Sequence, residues 1–146
     1  MRNFIEQSFE GIAMIDEKGR ITEWNPQQER ITNILRDEAL GKYCWEICAK
    51  LVNIEKAEDL AKNMRKMILS LLDPKNKEQT PLDETEYIFI APDKTEQHVI
   101  VTTFRIVLNG KIQLGQIVRD VTLQKLTQIE LEKYRMELEK MIGGEA

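Results

Sequence analysis

Asn109-Gly110 is the dipeptide that most narrows what this chain can become. Asn and Gly both accept the positive φ of a two-residue β-turn, whose twist matches that of paired strands, so Gln97–Leu108 and Lys111–Thr122 are expected to lie antiparallel. A second turn at Pro92-Asp93-Lys94 ties Glu84–Ile90 to the same ladder, which makes an antiparallel run of three strands. The middle strand carries Ile100, Thr102, Phe104 and Ile106 on one face and Val99, Val101, Thr103, Arg105 and Val107 on the other. Neither face is polar, so helices are expected over one side and a lead-in helix or a second subunit over the other.

The last strand, through Gly115-Gln116-Ile117-Val118-Arg119-Asp120-Val121-Thr122, runs without a loop into a helical stretch from Leu123 to Ile142. Upstream, Ile12–Asp16 and Arg20–Trp24 read as a hairpin closed by Glu17-Lys18-Gly19. Asn25-Pro26 opens a helix, with Asn as cap, Pro at the first helical position and Gln28 placed for a capping-box contact. A cap at Asp37 opens a single turn that Gly41 ends, and Tyr43–Cys48 forms another brief helix. From Ile54 to Leu72, Ala57, Leu60, Ala61, Met64, Met67, Ile68, Leu71 and Leu72 recur at three- and four-residue spacing, the stripe of a long amphipathic helix. Phe4, Ile5, Ser8 and Phe9 suggest a short amphipathic helix leading in, stopped by Gly11.

Composition removes several classes of function. The 146 residues suit one domain with an appendage, and 42% hydrophobic with 32% charged residues is globular. A net charge of −4 with the signs interspersed gives no basic stripe, which speaks against nucleic acid, and no run is apolar enough for membrane insertion. We expect a cytoplasmic protein, since Cys44 and Cys48, four apart in a helical turn, suit reduced thiols. They read as packing residues rather than a redox pair, because no His or cationic cluster stands beside them. His98, alone at the start of a strand, reads as a partly exposed strand residue and not a metal ligand, and no metal site is expected. No phosphate loop, nucleophile elbow or His-Glu-x-x-His motif is present, so we expect no catalysis.

In Gly11, Asp16-x-x-Gly19-Arg20-Ile21, Asn25, Gly41 and the closing Asp120-Val121-Thr122, in this order and spacing, the chain resembles a PAS domain from about Phe4 to Thr122. The resemblance implies an α+β PAS fold: a five-stranded antiparallel sheet with helices on one face, plus a C-terminal coiled-coil-like exit helix. The expected division is a lead-in helix over 1–10, the sensor domain over 11–122 and a signalling helix over 123–146. It further implies a sensory and dimerisation module of the kind found in two-component systems, whose pocket state reaches an output domain such as a histidine kinase through Asp120 and Thr122. The alternative is a structural dimerisation module with a filled core and no ligand.

Matching strands back from the junction, Gln116 and Val118, with Val101 and Thr103 beside them, are candidates for the pocket side. Met64 on the long helix can adapt to a ligand or simply fill the core, and Trp45 can stack on a planar ligand or pack. The reactive-cysteine box of flavin photosensors is missing, and haem is disfavoured because His98 is the sole histidine and lies off the long helix. Non-covalent flavin or another small organic ligand stays open. Leu131, Tyr134, Leu138 and Met141 follow the 3-4-3 seam of a coiled coil, while Leu123, Leu126 and Ile129 carry a displaced stripe. We expect a parallel homodimer through that seam, with a plain helix folded back on the sheet as the alternative.

Overall fold

The computed structural model describes residues 9–77 and 83–143. Its elements are β1 (Gly11–Ile15), β2 (Ile21–Trp24), α1 (Pro26–Thr32), α2 (Arg36–Ala39), α3 (Cys44–Ala49), α4 (Ile54–Leu72), β3 (Asp83–Ile90), β4 (Glu96–Leu108), β5 (Lys111–Asp120) and α5 (Thr122–Gly143). The expected lead-in helix over 1–10 falls largely on residues outside those described, and Phe9 and Glu10 form a bend. The polar loop from Lys75 to Pro81 is likewise only partly described.

The five strands form one antiparallel sheet in the order β2-β1-β5-β4-β3. The turn at Asn109-Gly110 has φ of 54° and 78°, the left-handed pair that the dipeptide supplies, and Leu108 faces Lys111 across it. The β1–β2 turn is tied by Asp16, whose carboxylate accepts the N–H groups of Lys18 and Arg20, both at 2.9 Å. Gly19 stands there at φ 92°, and a Cβ would meet the Trp45 ring at 2.6 Å.

Side-chain parity separates the two faces of the sheet. Ala13 and Ile15 from β1, Val99, Val101 and Thr103 from β4, and Leu114, Gln116 and Val118 from β5 are buried under the helices. α4 lays Met64, Ile68, Leu71 and Leu72 onto that layer. Its C-terminal carbonyls are held by Arg105, which donates Nε to Leu71 O at 2.9 Å and Nη2 to Asp73 O at 2.7 Å. The opposite face presents Ile12, Met14, Ile100, Phe104, Ile106 and Ile117, each half-buried, and no helix described here covers it.

Local chemistry differs from the sequence expectation at two caps. Asn25 caps α1 by accepting the Gln28 N–H at 2.9 Å, and it also accepts Ile12 N–H and donates to Glu10 O, tying helix to strand. The Gln28 side chain makes no capping-box contact; it turns inward, where its Oε1 lies against Gly11. Asp37 lies within the first turn of α2 and not at its cap. The cap position is Leu35, and Glu29 reaches over from α1 to accept the Arg36 N–H at 2.7 Å.

α5 leaves the domain. None of its side chains is buried, and Leu123, Leu126, Ile129, Leu131, Tyr134, Leu138 and Met141 are all more than half exposed. The folded-back alternative is therefore not the observed arrangement. At 22 residues the helix extends about 33 Å at 1.5 Å per residue.

Candidate functional site: packed interior and helix root

Between the inner sheet face and α1, α3 and α4 lies a cavity of about 10 Å³. Its lining includes Gln28, Cys48, Met64, Tyr87, Val101, Gln116 and Val118. A volume of this size corresponds to about one water molecule. In this conformation the interior is filled by its own side chains, with Ile68 and Leu114 wholly buried.

Of the residues singled out from sequence, Met64, Val101, Gln116 and Val118 line the cavity, and Thr103 stands beside it on the same face. Trp45 is elsewhere. It stacks on Tyr43 with centroids 4.7 Å apart and planes 10° apart, packs over Gly19, and lies under the Arg65 guanidinium at 6.0 Å. Tyr43 in turn lies under Arg20, at 4.8 Å. The strand turn and the start of α3 close over each other there, so the ring is occupied in holding two elements together. Sequence reading missed Gln28, Tyr87 and Phe89 as interior residues. Gln28 precedes Ile31 and Thr32 by three and four positions, and all three are buried, so the helical stripe itself carried that signal.

A polar thread crosses the interior beside the cavity. Gln116 Nε2 donates to Thr103 Oγ1 at 3.2 Å, and the Cys44 thiol donates to Gln116 Oε1 at 3.4 Å. Gln28 Oε1 is buried without a hydrogen-bond partner. The hydrogen bond with Cys48 and then burial push the Cys44 thiol well above its ordinary range, which keeps it a neutral donor.

At the helix root, Asp120 is the capping side chain: its Oδ1 accepts the Thr122 N–H at 2.9 Å and also the Thr122 hydroxyl. Thr122 Oγ1 accepts the His98 N–H at 2.9 Å, and His98 O accepts the Val121 N–H at 2.8 Å. His98 is a half-exposed strand residue whose backbone, clamped from both sides, fixes where α5 begins. Lys125 then pairs with Glu86 of β3 at 3.0 Å. Beside this root is an open cleft of about 610 Å³ between the N-terminal end of α4, β3 and the first turn of α5, lined among others by Lys56, Tyr87, His98, Val121 and Lys125. Among the described residues no three metal-ligating side chains gather in one place. No helix among them is long and apolar enough to cross a membrane.

Comparison with solved structures returns the same architecture. The PAS domain of BvgS from Bordetella pertussis aligns with a TM-score of 0.64 at 18% identity, over 94% of this chain and 95% of that one. The PAS domain of an HTR-like protein from Haloarcula marismortui aligns at 0.55 and 22% identity, over 80% and 85%. A domain of a sensory box sensor histidine kinase/response regulator from Geobacter sulfurreducens aligns at 0.55 and 19%, over 82% and 90%. Comparison with curated proteins gives no match. The family model for a PAS domain matches residues 10–123, the whole sheet with its helices up to the root of α5. With that match over most of its length, the chain belongs to the PAS domain family.

Proposed function

We propose that this PAS domain is a non-catalytic sensory input and dimerisation module, which passes the state of its interior through Asp120-Val121-Thr122 to a downstream effector such as a histidine kinase. The observation that carries this reading is the clamp at His98. One residue of β4 holds both Val121 and Thr122 by its backbone, so a shift of the sheet's inner layer must move the start of α5. β4 brings Val101 and Thr103 into the interior three and five residues further on. The Geobacter neighbour is itself part of a sensor histidine kinase, which is why that class of effector is named.

Val101, Thr103, Gln116, Val118 and Met64 serve as the interior that senses, and Leu131, Tyr134, Leu138 and Met141 as the seam of a parallel homodimer. The output domain acts in the cytoplasm. A cavity of about 10 Å³ favours the alternative, a structural dimerisation module with a filled core, on one point: flavin or any comparable organic ligand requires lining side chains to move first.

The test is Asp120→Ala and Thr122→Ala in a chain carrying its output domain. Either substitution is expected to leave the thermal unfolding midpoint within a few degrees, as loss of one cap of about 1 kcal/mol allows. Output is expected to stop responding to the stimulus. Normal signalling by either variant would make the junction only a connector.

A further inference from the structure

Cys44 stands at the first position of α3 and Cys48 one turn on, with their sulfurs 4.0 Å apart. Both are free thiols; Cys44 is buried and Cys48 half-exposed. Through Gln116 and Thr103 the buried thiol is hydrogen-bonded into β5 and β4, the two strands that hold the root of α5. A route of contacts therefore runs from a thiol that solvent reaches to the middle of the strand that becomes the exit helix.

We propose that Cys44 and Cys48 form a thiol–disulfide modification site, and that its oxidation by a hydroperoxide loosens α3 from β5. The Cys48 sulfur attacks the peroxide oxygen, the O–O bond breaks, and a sulfenic acid forms on Cys48 with release of water. While the turn is closed Cys44 is a buried neutral thiol; once the turn opens, its sulfur attacks the Cys48 sulfur and expels the hydroxyl, which leaves as a second water with the Cys44 proton. Two thiols and one hydrogen peroxide thus give one disulfide and two waters, and the two electrons lost by sulfur are gained by the peroxide.

The geometry says what must move. Sulfurs 4.0 Å apart have to close to about 2 Å, and residues one helical turn apart do not allow this while the turn is intact. The last turn of α3 is the part that yields: it is held by Lys50 N–H on Ile47 O and Leu51 N–H on Cys48 O, at 3.1 and 3.0 Å. Leu51 is buried and its carbonyl accepts the Ile90 N–H at 2.7 Å, so the movement reaches β3. A disulfide also has no S–H, which leaves Gln116 Oε1 without its donor in a buried place. Only the downstream meaning of this change rests on the sensory reading; the thiol chemistry belongs to the chain alone.

The experiment exposes the whole chain to hydrogen peroxide, alkylates the remaining thiols after denaturation, and weighs the intact protein. Each molecule is expected to carry two free thiols or none, the second population lighter by two hydrogens within one chain. Cys44→Ser is expected to stop at a Cys48 sulfenic acid that dimedone traps. Hydrogen exchange on the disulfide form is expected to quicken at Lys50 and Leu51 and at the β5 amides around Gln116. Oxidation of Cys48 without loss of the Cys44 thiol, disulfides found only between chains, or unchanged exchange in β5 would each overturn the proposal. Because no output is read, a failed signalling assay and a failed thiol assay remain separate results.

Discussion

α4 and α5 are similar in length, 19 and 22 residues, and opposite in what they do with their apolar side chains. α4 buries Met64, Ile68, Leu71 and Leu72 against the sheet, and Arg105 fixes its end. α5 buries none, and its bonds to the domain among the described residues, at His98 and from Lys125 to Glu86, lie at its first turn. A helix of this length is marginal in water by itself, because nucleation is unfavourable and each added residue gains little. α4 is supported by the fold it completes, whereas among the described residues nothing covers the apolar side chains of α5. The same contrast divides the sheet: its inner face is closed, and its outer face leaves Phe104, Ile106 and Ile117 half-buried.

The contrast is broken first at α4. Ile68→Ala removes a wholly buried side chain and is expected to cost about 2–5 kcal/mol in urea unfolding. A smaller loss would mean that the interior collapses to fill the space. Arg105→Met keeps the stem and removes two charged hydrogen bonds to the end of α4, with an expected loss of about 1.5–3 kcal/mol in the same assay. An unchanged midpoint would show that the end of α4 is held by packing alone.

The smallest effect belongs to α5. Arg135 bonds Glu132 and Glu139 on its exposed surface, and the Arg135 hydrogen bond holds the Glu132 carboxyl below its ordinary range. A lowered folded-state value means this contribution is complete above the ordinary glutamate range and fades as pH falls through the depressed value. Circular dichroism on acidification is expected to show a slight loss of helix, and a lesser one in Arg135→Gln. Equal losses in both would remove the pair from the account, in keeping with the small worth of exposed ion pairs.

What was legible in the sequence follows the range of the interactions. The bounds of α4, the turn at Asn109-Gly110 and the Asn25-Pro26 helix start are set within a few residues of themselves, and they appear where the chain chemistry puts them. The cap on α2 comes from Glu29, seven residues before the amide it accepts, so Asp37 was a local answer to a longer-range question. Trp45 is placed by the close approach of Gly19, whose missing Cβ leaves room for the ring; residue type alone left Trp45 open between stacking on a ligand and packing. β4 has apolar residues on both faces, so alternation did not say which face turned inward, and only the burial of Val99, Val101 and Thr103 does.

The central claim is that the bare stripe of α5 is completed by a second copy of the chain, and light scattering at high micromolar concentration tests it most directly. The account predicts a dimer for the intact chain and a shift toward monomer in Leu131→Ala with Leu138→Ala, two exposed seam residues. A monomer with the whole of α5 present, or a dimer that both substitutions leave unchanged, would contradict it.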